Sequence, residues 1–431
     1  MTDAKNAVNK FWNFMPKLLP EAELLFARSA SCEGGNFNRA RMLYSLLRNS
    51  YNIPMKTGVL GGTFDPVHLD HLQLIKGATK ALGLQRVILL PTLNPPHKKE
   101  PPTPYATRLE MLKIFASECG ENVVIDELER KFAPKAYASE TLPALVKKYA
   151  GDQLYYIIGS DSLRKFTEWK NPEIVASSMP IAVYPRGKDD EIEAETARLN
   201  AMYPGARFIP LPYKSNGLSS SDIRFKSETG DTEGVKAALT PNVAAFVIER
   251  GLYLGYSGIV DRLRSEQPEG LFRHSLRSAE WAVTHAWLAG TGFSESFLSA
   301  LLHDSAKPFS PMFPRESYPE GTAPPVYHQY DGAYRAEHDF GIPDKAVRDA
   351  IMYHTTARPG MTKLDELVYL ADKLEAGRDY PGVEELRKLA SEDLSRAVYE
   401  SLIRTREYLI NKGERPDNLT LQAAEWYNRK K

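Results

Sequence analysis

The feature that most constrains the fold is a change of pattern near Leu254. From Lys56 to Leu254, short buried strands alternate with helical stretches, which is typical of a doubly wound parallel sheet. Ligands of such sheets bind outside the carboxyl ends of the strands. From Ile259 to about Ile410 the pattern predicts helices alone, interrupted by a Pro-rich loop at 308–325. The sequence therefore predicts an α/β doubly wound parallel sheet followed by an all-α domain, and it predicts strands at 57–60, 86–91, 154–159 and 179–184.

Composition limits the partners and the compartment. The 431 residues exceed what one core usually supports, so two domains are expected. Lys and Arg (55) balance Asp and Glu (55), which argues against nucleic acid and acidic membrane as partners. The two cysteines are too few for a disulfide framework, and no apolar run is long enough to span a membrane. We expect a soluble, cytoplasmic protein.

Three segments follow from these patterns. Residues 1–55 form an N-terminal extension of unknown role, 56–254 the α/β domain, and 255–431 the helical domain. Residues 255–258, Gly-Tyr-Ser-Gly, read as a linker.

A phosphate site is predicted at the end of the first strand. The strand runs into Gly61-Gly62, where the missing Cβ atoms let backbone N–H groups approach a phosphate. His68 and His71 lie three residues apart at a helix start, where the helix N-terminus also favours anions. The imidazoles can donate hydrogen bonds to a triphosphate, so that catalysis rests on positioning and charge stabilisation. The alternative is a glycine turn followed by two incidental histidines.

Two further segments fit the same chemistry. Ser219 and Ser220 precede Arg224 at a second helix start, an arrangement suited to the leaving pyrophosphate. Alone, such a serine run is more often an ordinary N-cap. The loop Pro95-Pro96-His97-Lys98 presents a cation, although by itself it reads as a solvated loop.

These residues resemble a known family. Gly-Gly-Thr-Phe-Asp-Pro-x-His, Pro-Pro-His-Lys, Ile-Ile-Gly-Ser-Asp followed by Trp169, and Ser-Ser-x-x-Ile-Arg are similar to the nicotinate-nucleotide adenylyltransferases, which are Rossmann-like nucleotidyltransferases. The resemblance covers about 56–254. It implies the reaction of ATP with nicotinate mononucleotide to give deamido-NAD and pyrophosphate, with Mg²⁺. Phosphopantetheine adenylyltransferase shares the fold and the His pair, and is the alternative.

The resemblance also implies residue roles. His68, His71 and Arg224 would be catalytic. Lys98, Tyr137, Thr141 and Trp169 would bind nicotinate mononucleotide, with packing as the alternative for Trp169. The residues that would bind ATP are Gly61, Gly62, Thr63, Phe64, His68, His71, Gly159, Asp161, Ser219, Ser220 and Arg224.

One residue departs from the family pattern. The family usually has Gly where this chain has Asp70, between Leu69 and His71. An acid in the first helical turn suits the helix dipole but repels a triphosphate unless it points away or faces Mg²⁺. The hypothesis is that activity survives with weakened ATP affinity.

A metal centre is predicted in the helical domain. Imidazole and carboxylate ligands without thiols suit iron or manganese better than structural zinc. Two metals can be held with Asp304 as the bridge, and Lys307 is placed to reach a substrate phosphate, so both are predicted to be catalytic. His285 and His338 match no ligand position. The predicted ligands are His274, His303, Asp304, His328, His354 and Asp372.

The order of these ligands resembles the HD-domain phosphohydrolases. Three phrases, Leu-Leu-His-Asp-Ser-Ala-Lys, Tyr-His-Thr-Thr and Leu-Ala-Asp-Lys-Leu-Glu-Ala-Gly-Arg, are similar to the bacterial branch that cleaves diadenosine tetraphosphate symmetrically to two ADP. The likeness covers about 259–401. Ala357-Arg358 stands where that branch commonly has a Gly, which could alter the substrate fit.

Together the two resemblances imply a bifunctional enzyme whose partners are ATP, nicotinate mononucleotide and a dinucleoside polyphosphate. Two alternatives stay open for the helical domain: hydrolysis of another nucleotide, or a non-hydrolytic nucleotide sensor that regulates the first activity. A homo-oligomer also stays open.

Overall fold

The computed structural model describes residues 54–95, 103–185, 192–212 and 215–429. Lys98 and nearly all of the predicted extension 1–55 lie outside them. The chain forms two compact units, each described by itself. The first comprises residues 1–62, 71–93 and 119–217, and the second comprises residues 63–70, 94–118 and 218–431, as far as these are described.

A six-stranded parallel sheet forms the centre of the first unit. Its order is β3-β2-β1-β4-β5-β6, which confirms the predicted doubly wound sheet. The sequence missed β3 and β6, which have only three residues each. The strands are β1 (Lys56–Gly62), β2 (Arg86–Pro91), β3 (Val123–Ile125), β4 (Gln153–Gly159), β5 (Ile181–Tyr184) and β6 (Phe208–Pro210).

The sheet reverses its strand order between β1 and β4. These strands are parallel neighbours, with Leu60 opposite Ile157. The chain moves from β1 outward to β2 and β3, and from β4 outward to β5 and β6. Ligands of doubly wound sheets bind at such a switch point, so the residues after β1 and β4 matter most.

Helices alternate with the strands along the chain because apolar positions recur at helical spacing between them. In α2, for example, the buried residues are Arg108, Met111, Leu112 and Phe115, which lie on one stripe. These helices are α1 (Leu69–Leu82), α2 (Tyr105–Cys119), α3 (Ala138–Lys148), α4 (Ser160–Arg164), α5 (Pro172–Ser178) and α6 (Ile192–Met202).

After residue 217 every described regular element is helical, which confirms the predicted all-α region. Its core lies around α11, α12 and α15, where Leu301, Leu367 and Leu370 are fully buried. The helices are α7 (Ser220–Glu228), α8 (Thr232–Ala238), α9 (Pro241–Glu249), α10 (Ser257–Glu266), α11 (Glu269–Ala289), α12 (Phe293–Leu302), α13 (Tyr327–His338), α14 (Lys345–Met352), α15 (Lys363–Leu374), α16 (Val383–Glu392), α17 (Leu394–Asn411) and α18 (Asn418–Asn428).

Helices α7 to α9 belong to the same compact unit as the later helices. The boundary at residue 254 was predicted from the end of the strand–helix alternation and stays a prediction. Within the described part of the chain, no helix combines the length and the apolar character that crossing a membrane requires.

Candidate functional site

The first unit brings two glycine-containing strand ends together. β1 ends at Gly61-Gly62, and the neighbouring β4 ends at Gly159. A Cβ added at Gly61 would lie only 3.3 Å from the Tyr156 hydroxyl, so this position is too close-packed for an easy substitution. Asp161 lies in the first turn of α4, which follows β4 directly. The strand ends therefore leave backbone groups open to a ligand at the switch point of the sheet.

The predicted nicotinate residues of the described chain also lie in the first unit. Tyr137 is the half-buried N-cap of α3, and the buried Thr141 donates its hydroxyl to the Tyr137 carbonyl at 3.2 Å. Trp169 is half-buried, with its ring 5.3 Å from Phe166 and 6.5 Å from Tyr156 between centroids. Trp169 thus packs on the core while part of its surface stays accessible.

The second unit contains the loop 63–66, whose carbonyls are held by distant donors. Phe64 adopts a left-handed conformation with φ of 51°, which costs energy for a residue with a side chain. Three carbonyls of the loop accept hydrogen bonds of 2.7–2.9 Å from side chains far along the chain. The pairs are Arg108 Nη1 with Thr63, Arg224 Nη1 with Asp65, and Ser220 Oγ with Pro66.

The carboxylate of Asp65 adds two more bonds to this loop. Its oxygens accept from the Tyr253 hydroxyl at 2.9 Å and from the Thr103 backbone N–H at 3.2 Å. Burial, reinforced by the Asp65 charge, holds the pKa of Tyr253 well above its usual value. Arg108, 1% exposed, also donates to the Thr103 carbonyl. The loop conformation is therefore determined by a buried polar network.

Sequence reasoning did not single out Arg108, Asp65 and Tyr253, which hold the loop in place. A usable signal existed for Arg108, because it is a charged residue on the apolar stripe of α2. Lys, Arg, Asp and Glu are almost never fully buried unless they are paired.

Ser219 and Arg224 lie at the start of α7. The Ser219 hydroxyl accepts from the Asp222 backbone N–H at 3.1 Å, so Ser219 acts as an N-cap, the alternative interpretation of this motif. Arg224 Nη2 donates to Ser221 Oγ at 3.1 Å while Nη1 binds the 63–66 loop. The motif therefore already helps to build the loop.

The two histidines lie at the start of α1, and both are buried. The helix begins at Leu69, so His68 precedes it and only His71 lies in its first turn. Asp70 is also buried and lies in the same first turn, next to His71.

The predicted metal ligands of the second unit come together in two groups. In the first, His274 Nε2 lies 3.1 Å from His303 Nε2 and 3.1 Å from Asp372 Oδ1. Asp304 directs Oδ2 to this group, at 3.3 Å from His303 Nε2 and 3.6 Å from His274 Nε2. Three imidazole or carboxylate side chains and one oxygen of Asp304 thus converge on one point.

The second group uses the other oxygen of Asp304. Oδ1 lies 3.4 Å from both His328 Nε2 and His354 Nε2, which are 3.2 Å apart. Thr355 adds its hydroxyl at 2.9 Å from His354 Nε2. Among the described residues, no side chain or backbone N–H donates a hydrogen bond to this buried Oδ1. Asp304 therefore faces both groups, one with each oxygen.

The outer nitrogens of the four imidazoles are fixed by hydrogen bonds. Three Nδ1 atoms lie within 2.8 Å of a backbone carbonyl, in the pairs His303 with Ala300, His328 with Pro325 and His354 with Ile351. His274 Nδ1 lies 3.2 Å from Glu375 Oε1, and Glu375 is also bound by Arg277. Since these oxygens only accept, each Nδ1 carries a proton and each Nε2 is the atom that faces inward.

This arrangement fits divalent cations. In the second group, lone pairs of the neutral imidazoles of His328 and His354, 3.2 Å apart, repel one another, and a cation between them would turn the repulsion into ligation. Burial opposes protonation of His328, and the neighbouring His354 adds to this, lowering the pKa of His328 to about 3. Burial also opposes charge on His303, yet the adjacent Asp304 outweighs it and raises the pKa of His303 to about 9.

Two half-exposed cations reach the first group of ligands. Lys307 Nζ lies 2.6 Å from Asp304 Oδ2, and Arg378 Nη2 lies 2.7 Å from Asp372 Oδ1 and 3.3 Å from His274 Nε2. Their side chains are 41% and 39% exposed, so each connects the centre with solvent. Sequence reasoning singled out Lys307 but not Arg378 or Glu375, although both lie in the phrase after Asp372.

Three of the six ligands, His303, Asp304 and His354, lie just beyond helix ends, whereas His274, His328 and Asp372 lie within α11, α13 and α15. α12 ends at Leu302, and His303 and Asp304 follow in tight turns, where the Lys307 N–H donates to the Asp304 carbonyl. Lys307 therefore reaches Asp304 from a turn rather than from a helix. Gly332 permits α13 to approach the turn at His303 closely, because a Cβ at this position would lie 3.2 Å from the His303 carbonyl.

The two remaining described histidines of the helical region lie in stacked pairs. His285 stacks on Trp281 at 4.1 Å, and His338 stacks on Tyr334 at 4.0 Å. Neither belongs to the two groups of potential ligands.

Both regions of the chain match known protein families. Residues 59–226 match the cytidylyltransferase-like family model, and residues 271–377 match the HD domain model. A Mycoplasma genitalium protein described as a probable nicotinate-nucleotide adenylyltransferase/Ap4A hydrolase is 26% identical over 79% of this chain and 94% of its own length. A probable nicotinate-nucleotide adenylyltransferase of Dictyoglomus thermophilum is 31% identical over 46% of this chain and its whole length.

Among solved structures, a predicted HD superfamily hydrolase involved in NAD metabolism, from Clostridium acetobutylicum, is 32% identical. The match covers 41% of this chain and 98% of that chain, with a TM-score of 0.37. The full-length match to a relative above 30% identity decides the family. The chain belongs to the nicotinate-nucleotide adenylyltransferase family, and an HD domain follows its cytidylyltransferase-like region.

Proposed function

We propose that the chain is a bifunctional enzyme. Its first activity is adenylyl transfer from ATP to nicotinate mononucleotide, giving deamido-NAD and pyrophosphate. Its second is the metal-dependent, symmetrical hydrolysis of diadenosine tetraphosphate to two ADP. Family membership supports the first activity, and the two-sided contact of Asp304 supports the second.

In the first reaction, a phosphate oxygen of nicotinate mononucleotide bonds to the α-phosphorus of MgATP, and the α–β bridging bond breaks. The excess negative charge on the phosphates needs donors fixed in advance. In the first unit, the strand ends at Gly61-Gly62 and Gly159 would offer backbone N–H groups. In the second unit, Arg224 and Ser220 are held beside the 63–66 loop, where they would stabilise the departing pyrophosphate.

The nicotinate side would be formed by Tyr137, Thr141 and Trp169. The accessible part of the Trp169 ring offers a stacking face for the pyridine ring. Lys98 completes this proposed set and lies outside the described residues.

Incubating the full chain with MgATP and nicotinate mononucleotide tests the first activity. Equal amounts of deamido-NAD and pyrophosphate are expected by chromatography and mass spectrometry. If 4'-phosphopantetheine is adenylylated instead, the alternative assignment is right. In the same assay Asp70→Gly should lower the KM for ATP, and an unchanged KM would remove the hypothesis that Asp70 weakens ATP affinity.

The second activity is supported by one observation above all: both oxygens of the buried Asp304 face separate groups of ligand atoms. Two divalent cations, iron or manganese, would be held there by His274, His303, Asp372, His328 and His354, with Asp304 shared. Such a pair lowers the pKa of bound water and neutralises charge on a phosphate undergoing displacement.

The protein's own side chains would orient the substrate around this centre. Lys307 and Arg378 reach the ligand atoms from the solvent side, so both would contact phosphates of an incoming polyphosphate. In the hydrolysis, a water oxygen bonds to one inner phosphorus and the bond to the central bridging oxygen breaks, which leaves two ADP.

A substrate panel on the full chain with Mn²⁺ or Fe²⁺ tests this second activity. Diadenosine tetraphosphate should yield ADP alone, and in ¹⁸O-labelled water one label should appear for every two ADP. Release of ATP with AMP would show asymmetric cleavage. Cleavage of a pyrophosphorylated guanosine or a nucleoside monophosphate instead would favour the other-nucleotide alternative, and binding without products would favour the sensor.

A further inference from the structure

The predicted pyrophosphate-binding Arg224 makes a contact that no phosphate role explains. Its guanidinium carbon lies 4.8 Å from the centre of the Phe293 ring. Phe293 is the first residue of α12, the helix whose other end leads into His303 and Asp304. Both residues belong to the second compact unit.

Three contacts fix the Arg224 guanidinium. Nη1 donates to the Asp65 carbonyl at 2.7 Å, Nη2 donates to Ser221 Oγ at 3.1 Å, and the Phe293 ring covers it. The two hydrogen bonds lie at the edge of the planar guanidinium, and the ring adds a contact on its face that opposes rotation of the plane. A ring in this position also attracts the cation itself.

Phe293 is itself held rigidly. Its ring stacks on Phe297 at 5.4 Å with an interplanar angle of 10°, and Phe297 is fully buried. Phe297 also contacts Phe225, the residue after Arg224, at 6.0 Å, and Tyr256 at 5.9 Å. The rings of Phe225, Tyr256, Phe293 and Phe297 thus form a cluster that packs α7 against α12.

The chain segment before α10 is fixed to the same place. The buried Glu228, at the end of α7, accepts the backbone N–H groups of Gly255 and Tyr256 at 3.0 and 2.8 Å. Tyr256 therefore cannot leave Phe297 without breaking both bonds. The segment predicted as a linker is therefore held in place by hydrogen bonds to Glu228 and by the ring contact of Tyr256.

We propose that Phe293, a residue of the helical region, is a positioning residue for Arg224 in adenylyl transfer. This inference rests on the proposed role of Arg224 in binding the phosphates of ATP. It implies that the helical region contributes to the first reaction whatever nucleotide its own metal centre takes. Phe293 touches no reacting atom and acts only through the orientation of the guanidinium.

The full chain offers a matched control. Arg250 lies 4.7 Å over the ring of Phe246, which is also half-buried, but neither residue belongs to the predicted site. Phe246→Ala therefore removes the same type of contact from the same unit. Phe293→Leu keeps an apolar side chain at the start of α12 without the ring face.

Phe293→Ala and Phe293→Leu should raise the KM and the Kd for ATP by about 2- to 5-fold, the usual range for such a contact near the surface. The KM for nicotinate mononucleotide and the manganese content should stay at the wild-type values, as should all three quantities in Phe246→Ala. In an Arg224→Ala background, Phe293→Ala should add no further change in the Kd for ATP.

An unchanged Kd for ATP in folded Phe293→Ala would overturn the proposal, as would an equally large effect of Phe293→Ala when Arg224 is already alanine. If the wild-type chain makes no deamido-NAD, the proposed function fails, whereas the Kd for ATP still decides the role of Phe293. Thermal unfolding of each variant separates loss of folding from loss of affinity.

Discussion

The 63–66 loop and the metal centre both lie in the helical unit, yet they use polar groups in opposite ways. In the loop, each carbonyl of Thr63, Asp65 and Pro66 accepts a hydrogen bond from a distant side chain. At the metal centre, the inner atoms of the ligands face one another, while backbone carbonyls hold the outer nitrogens of three imidazoles. The carbonyls of the loop are satisfied by donors of the protein itself, whereas the ligand atoms of the centre are arranged as a cation would require.

The difference predicts which property each region should lose when one of its contacts is removed. Removing a donor from the loop leaves a buried carbonyl without a partner, so the penalty falls on stability. Removing a ligand from the centre reduces repulsion among facing atoms, so the penalty falls on metal affinity and activity. Substitutions at four positions test this contrast.

The largest effect is expected from Asp304→Asn. Both groups of ligands lose the charge of the carboxylate that they share. Substitutions of residues that only hydrogen-bond to metal ligands already lower metal affinity or activity by about 10–100-fold, so hydrolysis should fall on the order of 10³-fold or more. Elemental analysis should show less than one metal per chain, while adenylyl transfer keeps its wild-type kcat. Asp379→Asn, at an exposed position, serves as the control. Retention of two metals would disprove the bridging role.

Arg108→Met should produce the next effect, on stability. The carbonyls of Thr63 and Thr103 lose their donor in a buried environment, so the free energy of unfolding should fall by about 2–4 kcal/mol. Urea denaturation measures this, and the KM for ATP should rise as the loop loosens. Arg130→Met, an exposed arginine paired with Glu127, should change stability by less than about 0.5 kcal/mol. Equal losses in the two variants would contradict the contrast.

Glu375→Gln addresses the outer contacts of the centre. Glu375 accepts from Nδ1 of His274 and from Arg277, so its neutralisation should weaken binding of one metal by about 10–100-fold. Titration with Mn²⁺ should then show one weakened and one unchanged site, because His328 and His354 lie in the other group. The exposed Glu385→Gln is the matched control. Equal weakening of both sites would argue against two separate groups.

Most of the fold could be predicted because its signals are local. Apolar spacing located β1, β2, β4 and β5, and the end of the strand–helix alternation located the helical region. β3 and β6 were missed since three residues carry too little pattern. In the centre, residue chemistry indicated the ligands, and the structure brings all six into the two groups.

The sequence could not predict contacts between residues that lie far apart along the chain. Arg108 reaches Thr63 over 45 residues, and Tyr253 reaches Asp65 over 188 residues. Phe293 reads as an ordinary apolar helix start until Arg224 is seen beside it. No local pattern encodes such pairs, because they depend on how the elements pack.

The smallest effect concerns strain, which both regions share. Phe64 in the loop and Ala357 after His354-Thr355-Thr356 are non-glycine residues with φ of 51° and 60°. Glycine would adopt this conformation at the second position without strain. Ala357→Gly removes about 1–2 kcal/mol of strain. The variant also loses a buried methyl group worth about 0.8 kcal/mol and gains chain entropy in the unfolded state.

These contributions nearly cancel, so Ala357→Gly should change the free energy of unfolding by less than about 1 kcal/mol. Ala357→Val should destabilise the chain by more than about 2 kcal/mol, because a branched side chain fits neither the conformation nor the fully buried position. Urea denaturation of both variants measures the difference. If valine is tolerated as well as glycine, the loop is free to rearrange, and His354 is then held by its own hydrogen bond to Ile351 rather than by the strained turn that follows it.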